Sequence, residues 1–281
     1  MRSMKNLIKK IPFVPDIYRK IRDTRLANRK AAATPFGFKM IGSAEMQRGE
    51  FEKADTKVFR RFLKDIDVVI DAGAHFGYYC LQALALKKHL IAFEPMNTKV
   101  LLKNISLNGW ENDAEVFPLA LTERPGILKM YGGGTGASLL KGWAGASSGK
   151  PVLVPASSLD LVLGNRLSGK RVLVLIDVEG SEYDLLRGAK TLLRSEPRPI
   201  WMVEITRTTH RPKGSEVNPN YLKTFEMFWE AGYDVYRANE KGELKHYSKE
   251  EIAEGREERA NDFFSNYVFA HKTAGALASG N

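Results

Sequence analysis

The chain has 281 residues, 43% of them hydrophobic and 27% charged, enough for one sizeable globular core with appendages. No stretch approaches the ~18–20 apolar residues of a membrane span, and the single cysteine, Cys80, excludes an intramolecular disulfide and a cysteine-based zinc site, which points to a reducing, cytoplasmic setting. The net charge of +10 is concentrated, since residues 1–30 carry ten Lys/Arg against Asp16 and Asp23 and leave the remainder close to neutral.

Residues 1–50 read as a basic N-terminal arm, helical in part. Lys9 and Lys10 split its only short apolar stretch and no small-residue cleavage site follows, which argues against a secretory signal. As a solvated amphipathic helix it would pack on the body through Ile17, Ile21 and Leu26. The alternative is peripheral contact with an anionic membrane surface.

From residue 54 short apolar runs alternate with helical patterns, as in a parallel sheet covered on both faces. The body is expected over 51–272, with a frayed tail at 273–281. A first strand ends at Asp71 and feeds a helix over Gly77–Lys88. A second, Leu90–Phe93, ends at Glu94, and its helix starts near Asn97 and Thr98 and stops at Asn108-Gly109. A third strand fits Ala114–Leu121. Residues 122–157, rich in glycine, read as an inserted hairpin or long loop with β-like pieces at Ile127–Tyr131 and Val152–Val154. The fourth strand is Arg171–Ile176, and Ser181 with Asp184 predicts a capping box for the following helix. A fifth strand, Ile200–Ile205, contains Glu204 near its end. A helix over Tyr221–Ala231 and strands at Tyr233–Tyr236 and Tyr267–Ala270 complete the pattern.

Open α/β sheets bind ligands beyond the carboxyl ends of their strands, near the point where strand order reverses. Here four such ends carry Asp71, Glu94, Asp177 with Glu179, and Glu204, which suggests a shared polar cleft. The turn Asp71-Ala72-Gly73-Ala74-His75-Phe76-Gly77 allows close backbone approach to a ligand, and a helix start can receive an anionic group. Glu94 lies 23 residues after Asp71, the interval at which such folds place an acid on ribose hydroxyls. Together these predict a nucleoside cofactor; the alternative is a purely structural turn. The spacing is not G-x-G-x-x-G, and no phosphate-cradling G-x-x-x-x-G-K-[ST] occurs, so a dinucleotide or nucleotide triphosphate is poorly supported.

Asp71–Tyr79 (DAGAHFGYY), Phe93-Glu94-Pro95, Asn104 with Asn108-Gly109, Ser158-Leu159-Asp160, and above all Ile176–Glu182 (IDVEGSE) with Leu186-Arg187-Gly188-Ala189 resemble the FkbM family. The resemblance covers roughly residues 54–271 and excludes the arm. It implies an S-adenosylmethionine-dependent methyltransferase, usually an O-methyltransferase of secondary metabolites and glycans. The implied fold is doubly wound and Rossmann-like, a mostly parallel seven-stranded sheet with helices on both faces. Asp71, Gly73, Ala74, His75, Phe76 and Gly77 match the cofactor loop, with Asp71 as partner for the cofactor ammonium and Glu94 as the ribose acid. Ala120 and Leu121 fall where such folds contact adenine. Leu175 departs from the many relatives that have lysine before the Ile-Asp pair.

The expected reaction moves a methyl group to a hydroxyl oxygen of a small-molecule or glycan acceptor. Orientation can supply up to ~7–11 kcal/mol of the acceleration, and a carboxylate base a further ~10²–10⁴-fold. Asp177, Glu179 and Glu204 are the candidate catalytic groups. The plainer alternatives are that Glu179 accepts backbone N–H bonds in its turn, that Glu204 pairs with Arg207, and that His210 is a surface residue. Mg²⁺ on these three carboxylates is a further alternative, since it binds hard oxygens and lowers an acceptor's pKa. A nucleic-acid methyltransferase is disfavoured: a D/N-P-P-Y-type segment is absent after the fourth strand, Cys80 is misplaced for attack on cytosine, and the body is nearly neutral. A non-catalytic scaffold has no need of Asp71, Gly73, Gly77 and Glu94 as a set.

Overall fold

The computed structural model describes residues 24–25, 27–145, 150–212, 214–255 and 266–271. Most of the basic arm's charge and the expected tail at 273–281 lie outside these residues. In chain order the described elements begin with a hairpin, β1 (Ala32–Ala33) and β2 (Lys39–Met40), then helices α1 (Ala44–Arg48) and α2 (Lys53–Phe62). Two βαβ units follow: β3 (Val68–Ala72), α3 (Tyr78–Ala85), β4 (His89–Phe93), α4 (Thr98–Ser106) and β5 (Ala114–Phe117). Next come β6 (Ala120–Leu121), β7 (Gly126–Met130), β8 (Val152–Ser157) and α5 (Leu159–Leu163). The second half contains β9 (Val172–Ile176), α6 (Glu182–Arg187), α7 (Lys190–Leu193), β10 (Ile200–Glu204), α8 (Tyr221–Glu230), β11 (Tyr233–Ala238), β12 (Leu244–Tyr247), α9 (Lys249–Glu254) and β13 (Asn266–His271).

The central sheet has the order β12-β11-β13-β10-β9-β3-β4-β5. The five strands from β10 to β5 pair in parallel, while β13 pairs antiparallel with both β10 and β11, and β12 antiparallel with β11. The sheet is therefore mixed and has eight strands, against the seven expected. The extra strand comes from a tight turn in which the Asn239 carboxamide oxygen accepts from Lys241 N and Glu243 N at 2.9 Å each, folding β12 back onto β11. Strand order reverses between β3 and β9, which opens a cleft at their carboxyl ends.

Alternation along the strands builds two cores. Val68, Ile70, Val172, Val174 and Trp201 face one layer with Leu185, Leu186, Phe225 and Phe228, whereas Val69, Leu90, Leu173 and Met202 face the other with Phe59, Leu81 and Leu101. Side chains of period two on a sheet covered on both faces explain the continuous apolar runs. Helices α5 to α8 cover the first layer, and α2 to α4 the second.

Residues 32–49, within the expected arm, are packed on the body. Phe38, Met40, Ile41 and Met46 are buried, and Asn104 clamps Ile41 by accepting from its N at 2.7 Å and donating to its O at 2.9 Å. The third expected strand divides at Pro118, where no N–H is available for a ladder bond: β5 stays in the main sheet, and β6 joins a separate three-stranded sheet of order β6-β8-β7. Strands β7 and β8 of that sheet fall within the expected insertion at 122–157. The expected single helix after Ser181 is two short helices parted at Gly188-Ala189. A Cβ at Gly188 would stand 2.3 Å from the Thr122 carbonyl, so close packing on the insertion demands glycine. The predicted capping box is absent: Ser181 makes no capping bond, and the Gly180 amide donates to Glu182 Oε1 at 2.8 Å instead.

Candidate active site

The loop after β3 is fixed by both neighbouring strands. Gly73 N donates to the Phe93 carbonyl at 2.9 Å, and Asp177 N donates to the Ala72 carbonyl at 2.9 Å. Gly73 has φ +94°, and a Cβ there would lie 1.8 Å from the Asp177 carbonyl oxygen. Only glycine fits, because the end of β9 crosses directly over it. His75 is also left-handed at φ 47°, and its ring stacks on Phe76 at 4.1 Å and 6°.

Glu94, buried at the end of β4, organises the opposite wall. Its Oε2 accepts from His75 N at 2.9 Å, and its Oε1 from Met96 N at 2.6 Å and Asn97 N at 2.7 Å. Burial raises its carboxyl above the ordinary range, while these N–H groups pull it back towards ionisation. Asp71 is fully enclosed in β3, where desolvation lifts it to about 6 against a 3.0 Å hydrogen bond from Cys80 Sγ. The same burial, reinforced by the Asp71 charge, holds the Cys80 thiol well above its usual value.

A second group of acids gathers where β9 and β10 end. Asp177 and Glu204 are hydrogen-bonded to each other. The Asp177 side chain is reached from the cavity, yet the surrounding protein and the neighbouring Glu204, Glu179 and Glu52 push its carboxyl well above the usual carboxylate range. Glu52, at the start of α2, accepts from the Tyr79 hydroxyl at 2.7 Å, and desolvation raises it to about 8, with Asp55 and Glu204 adding to the shift. Asp55 is buried, raised to about 6 by desolvation, and accepts from Asn266 Nδ2 at 3.1 Å. Glu52 and Asp55 are not marked by any motif in the sequence. The available signal is spacing: Asp55 stands four and seven residues before Phe59 and Phe62 on one face of α2, and Glu52 stands three residues before Asp55.

The insertion closes over this end. Trp143 is buried, and its Nε1 donates to Glu179 Oε2 at 2.8 Å, while Ser138 Oγ donates to the Glu179 carbonyl at 2.6 Å. Glu179 is left-handed at φ 53°, and a Cβ on the following Gly180 would meet the Trp143 ring at 2.6 Å. The Ala144 amide donates to the His210 carbonyl at 2.6 Å, and His210 Nδ1 lies 3.7 Å from Glu179 Oε2. Glu179 therefore binds the insertion and faces the loop after β10. Glu204 meets Asp177, and Arg207 lies over the Tyr221 ring at 5.9 Å.

These walls enclose a cavity of about 360 Å³. Asp71, Gly73, Ala74, His75, Phe76, Glu94, Ala120, Asp177, Glu179 and Glu204 all line it, as do Leu121, Leu175 and His210. Ala120 belongs to an apolar wall with Met96, Met130, Ala137 and Leu139. Gly77 is the exception among the expected cofactor residues. It caps α3 at φ +86°, where a Cβ would meet Leu101 Cδ1 at 2.5 Å, so its place is set by the packing of α3 on α4. Among the described residues no group of three His, Cys, Asp or Glu side chains is arranged to hold a metal ion, so Mg²⁺ has no ligand set on Asp177, Glu179 and Glu204. Nor is any described helix long and apolar enough to cross a membrane.

Three solved structures illustrate what the chain is similar to. Methyltransferase FkbM from Methylobacillus flagellatus KT aligns at 14% identity over 94% of this chain and 62% of its own, with a TM-score of 0.44; this chain thus spans under two thirds of that protein. The O-methyltransferase TomG from Streptomyces achromogenes, solved with SAM, aligns at 10% identity over 80% of this chain and 85% of its own, TM-score 0.43. An O-methyltransferase from Bacillus cereus, solved with SAH, aligns at 8% identity over 80% and 84%, TM-score 0.43. No curated protein matches the chain. A sequence model of the methyltransferase FkbM domain matches residues 71–235, more than half of the chain. That match takes in the glycine loop, Glu94, the Asp177–Glu182 turn and Glu204, and the chain belongs to the FkbM methyltransferase family.

Proposed function

We propose that this methyltransferase uses S-adenosylmethionine and methylates a hydroxyl oxygen of a small molecule, sugar or glycan. The observation that carries the reading is the hydrogen-bonded Asp177–Glu204 pair standing in the same cavity as Asp71 and Glu94. The residues fit the cofactor. Asp71 is an enclosed carboxyl suited to an ammonium group, and Glu94 is a carboxylate at the strand end where such folds hold a ribose. The wall of Ala120, Leu121, Met96 and Met130 offers apolar contact to a base. When bound, the cofactor supplies an electrophilic methyl group on a sulfonium.

The remaining work falls to this chain's own acids. A hydroxyl is a poor nucleophile until its proton has somewhere to go. Asp177 and Glu204 share a hydrogen bond, and this pair is the base. The pair takes the acceptor's hydroxyl proton as the methyl group passes from sulfur to that oxygen and the carbon–sulfur bond breaks. Glu179, held by Trp143, fixes the insertion against this end of the cavity and so orients the acceptor. Labelled methyl transfer from S-adenosylmethionine to glycan and small-molecule pools tests the assignment. Label recovered as a methyl ether supports it; label recovered only in nucleic acid contradicts it.

A further inference from the structure

The carboxyls that line the cavity form two electrostatic groups. Asp71 and Glu94 act on each other, and Glu52, Asp177, Glu179 and Glu204 act on one another at the far end. No lysine or arginine lines the cavity among the described residues. The buried Arg237 faces Asp55, and Asp55 is not part of the lining. Among the described residues the wall around the far group therefore offers histidine but no lysine or arginine.

With S-adenosylmethionine as the cofactor, the reading on which this inference rests, each member of that group can be assigned in turn. Glu179 accepts from Trp143 and has His210 beside it. Asp177 and Glu204 share a hydrogen bond and are assigned to the acceptor's hydroxyl proton. Glu52 is the surplus. It enters from α2, ahead of the matched family segment, and its carboxyl lines the cavity with the Tyr79 hydroxyl donating to Oε2. A phenol supplies one proton to a group with about four acceptor sites. A second observation points to a ligand at the same end. Ser181 is 1% exposed and lines the cavity, and its Oγ has no hydrogen-bond partner among the described residues. A buried hydroxyl left unpaired is costly unless a bound molecule satisfies it.

We propose that Glu52 recognises a protonated amine on the acceptor, so that the preferred substrate is an amine-bearing polyol such as an amino sugar or amino alcohol. An ammonium brings the positive charge that the cavity wall lacks and lets Glu52 stay ionised in an enclosed site. An acceptor carrying phosphate or carboxylate at the reacting end meets only like charge there. A neutral sugar gains hydrogen bonds but no charge pairing.

The test uses the intact chain saturated with S-adenosylhomocysteine near neutral pH, titrated with D-glucosamine and D-galactosamine against glucose, galactose and the two N-acetylated forms. At least one amino sugar is expected to bind about ten- to a hundredfold tighter than its neutral and acetylated counterparts, the range of one charge-assisted hydrogen bond. Glu52→Gln should remove most of that advantage. Amino sugars that bind no better than their counterparts overturn the proposal, as does an advantage that survives in Glu52→Gln. If the nucleoside binds and the preference is missing, only this inference falls. If the nucleoside itself fails to bind, the cofactor reading falls and takes the inference with it.

Discussion

Asp177 and Glu204 end two adjacent parallel strands, β9 and β10, and are hydrogen-bonded to each other inside the cavity. Two acids this close cannot both ionise cheaply, and burial with the neighbouring carboxylates pushes Asp177 well above the usual carboxylate range. Replacing Asp177 with Asn keeps the shape and a hydrogen-bonding group but removes the shared acid. The expected outcome for Asp177→Asn is intact affinity for S-adenosylhomocysteine and turnover lower by ~10²–10⁴-fold. Calorimetry and labelled methyl transfer on the same preparation check both halves; turnover at the wild-type rate would take Asp177 out of the chemistry.

Glu94→Ala should weaken nucleoside binding and also destabilise the fold. The carboxylate holds the amides of His75, Met96 and Asn97, and its loss leaves them without that acceptor. Charge-assisted bonds of this kind are worth about 1.5–3 kcal/mol each. Glu94→Gln retains one acceptor oxygen and should lie between. Melting temperature and nucleoside affinity are expected to fall together in the order wild type, Gln, Ala.

Stability should decline towards alkaline pH. Glu52 is raised from 4.5 to about 8, and Asp55 and Asp71 from 3.8 to about 6, all mainly by desolvation. Because the folded chain holds these protons more tightly than the unfolded one, their contribution is complete below about pH 4 and is lost as pH rises through the raised values. Thermal melts should lose several degrees between about pH 5 and about pH 8, and Glu52→Gln should flatten the upper part of that curve. A wild-type melting temperature that rises across this interval would contradict the burial of these groups.

The strands that build the cleft were legible because burial on both faces writes continuous apolar runs, and their polar ends marked Asp71, Glu94, Asp177 and Glu204. What escaped was set by contacts between distant segments. Gly73 looked like a ligand-approach glycine, but the space its Cβ would need is taken by the carbonyl of Asp177, more than a hundred residues away. Ser181 and Asp184 had capping-box spacing, yet the Glu182 side chain took the Gly180 amide and left Ser181 facing the cavity. Glu52 and Asp55 stand at the start of the expected body with no motif to mark them, because a charged helix start gives no local sign that Asn266 and Tyr79 will meet it.

Gly73→Ala should be far more damaging than Gly77→Ala. At Gly73 the obstruction is backbone at 1.8 Å, whereas at Gly77 it is the tip of Leu101 at 2.5 Å, which can turn aside. The left-handed backbone alone costs each variant roughly 1–2 kcal/mol, and only Gly73→Ala must also part β3 from β9. Its expected phenotype is loss of soluble folded protein, against a modest drop in melting temperature for Gly77→Ala.

Trp143→Phe removes one hydrogen bond to Glu179 while keeping an aromatic ring against Gly180. The insertion should then hold the acceptor less firmly. The expected result is a raised acceptor KM with nucleoside affinity unchanged, measured on whichever acceptor the labelling experiment identifies.

The most direct test of nucleoside binding in this cavity is a calorimetric titration of the purified, folded chain with S-adenosylhomocysteine, run beside Glu94→Ala. Saturable binding of one nucleoside per chain, weakened in the variant, is the predicted result. A folded wild-type protein that takes up neither this nucleoside nor S-adenosylmethionine would contradict it.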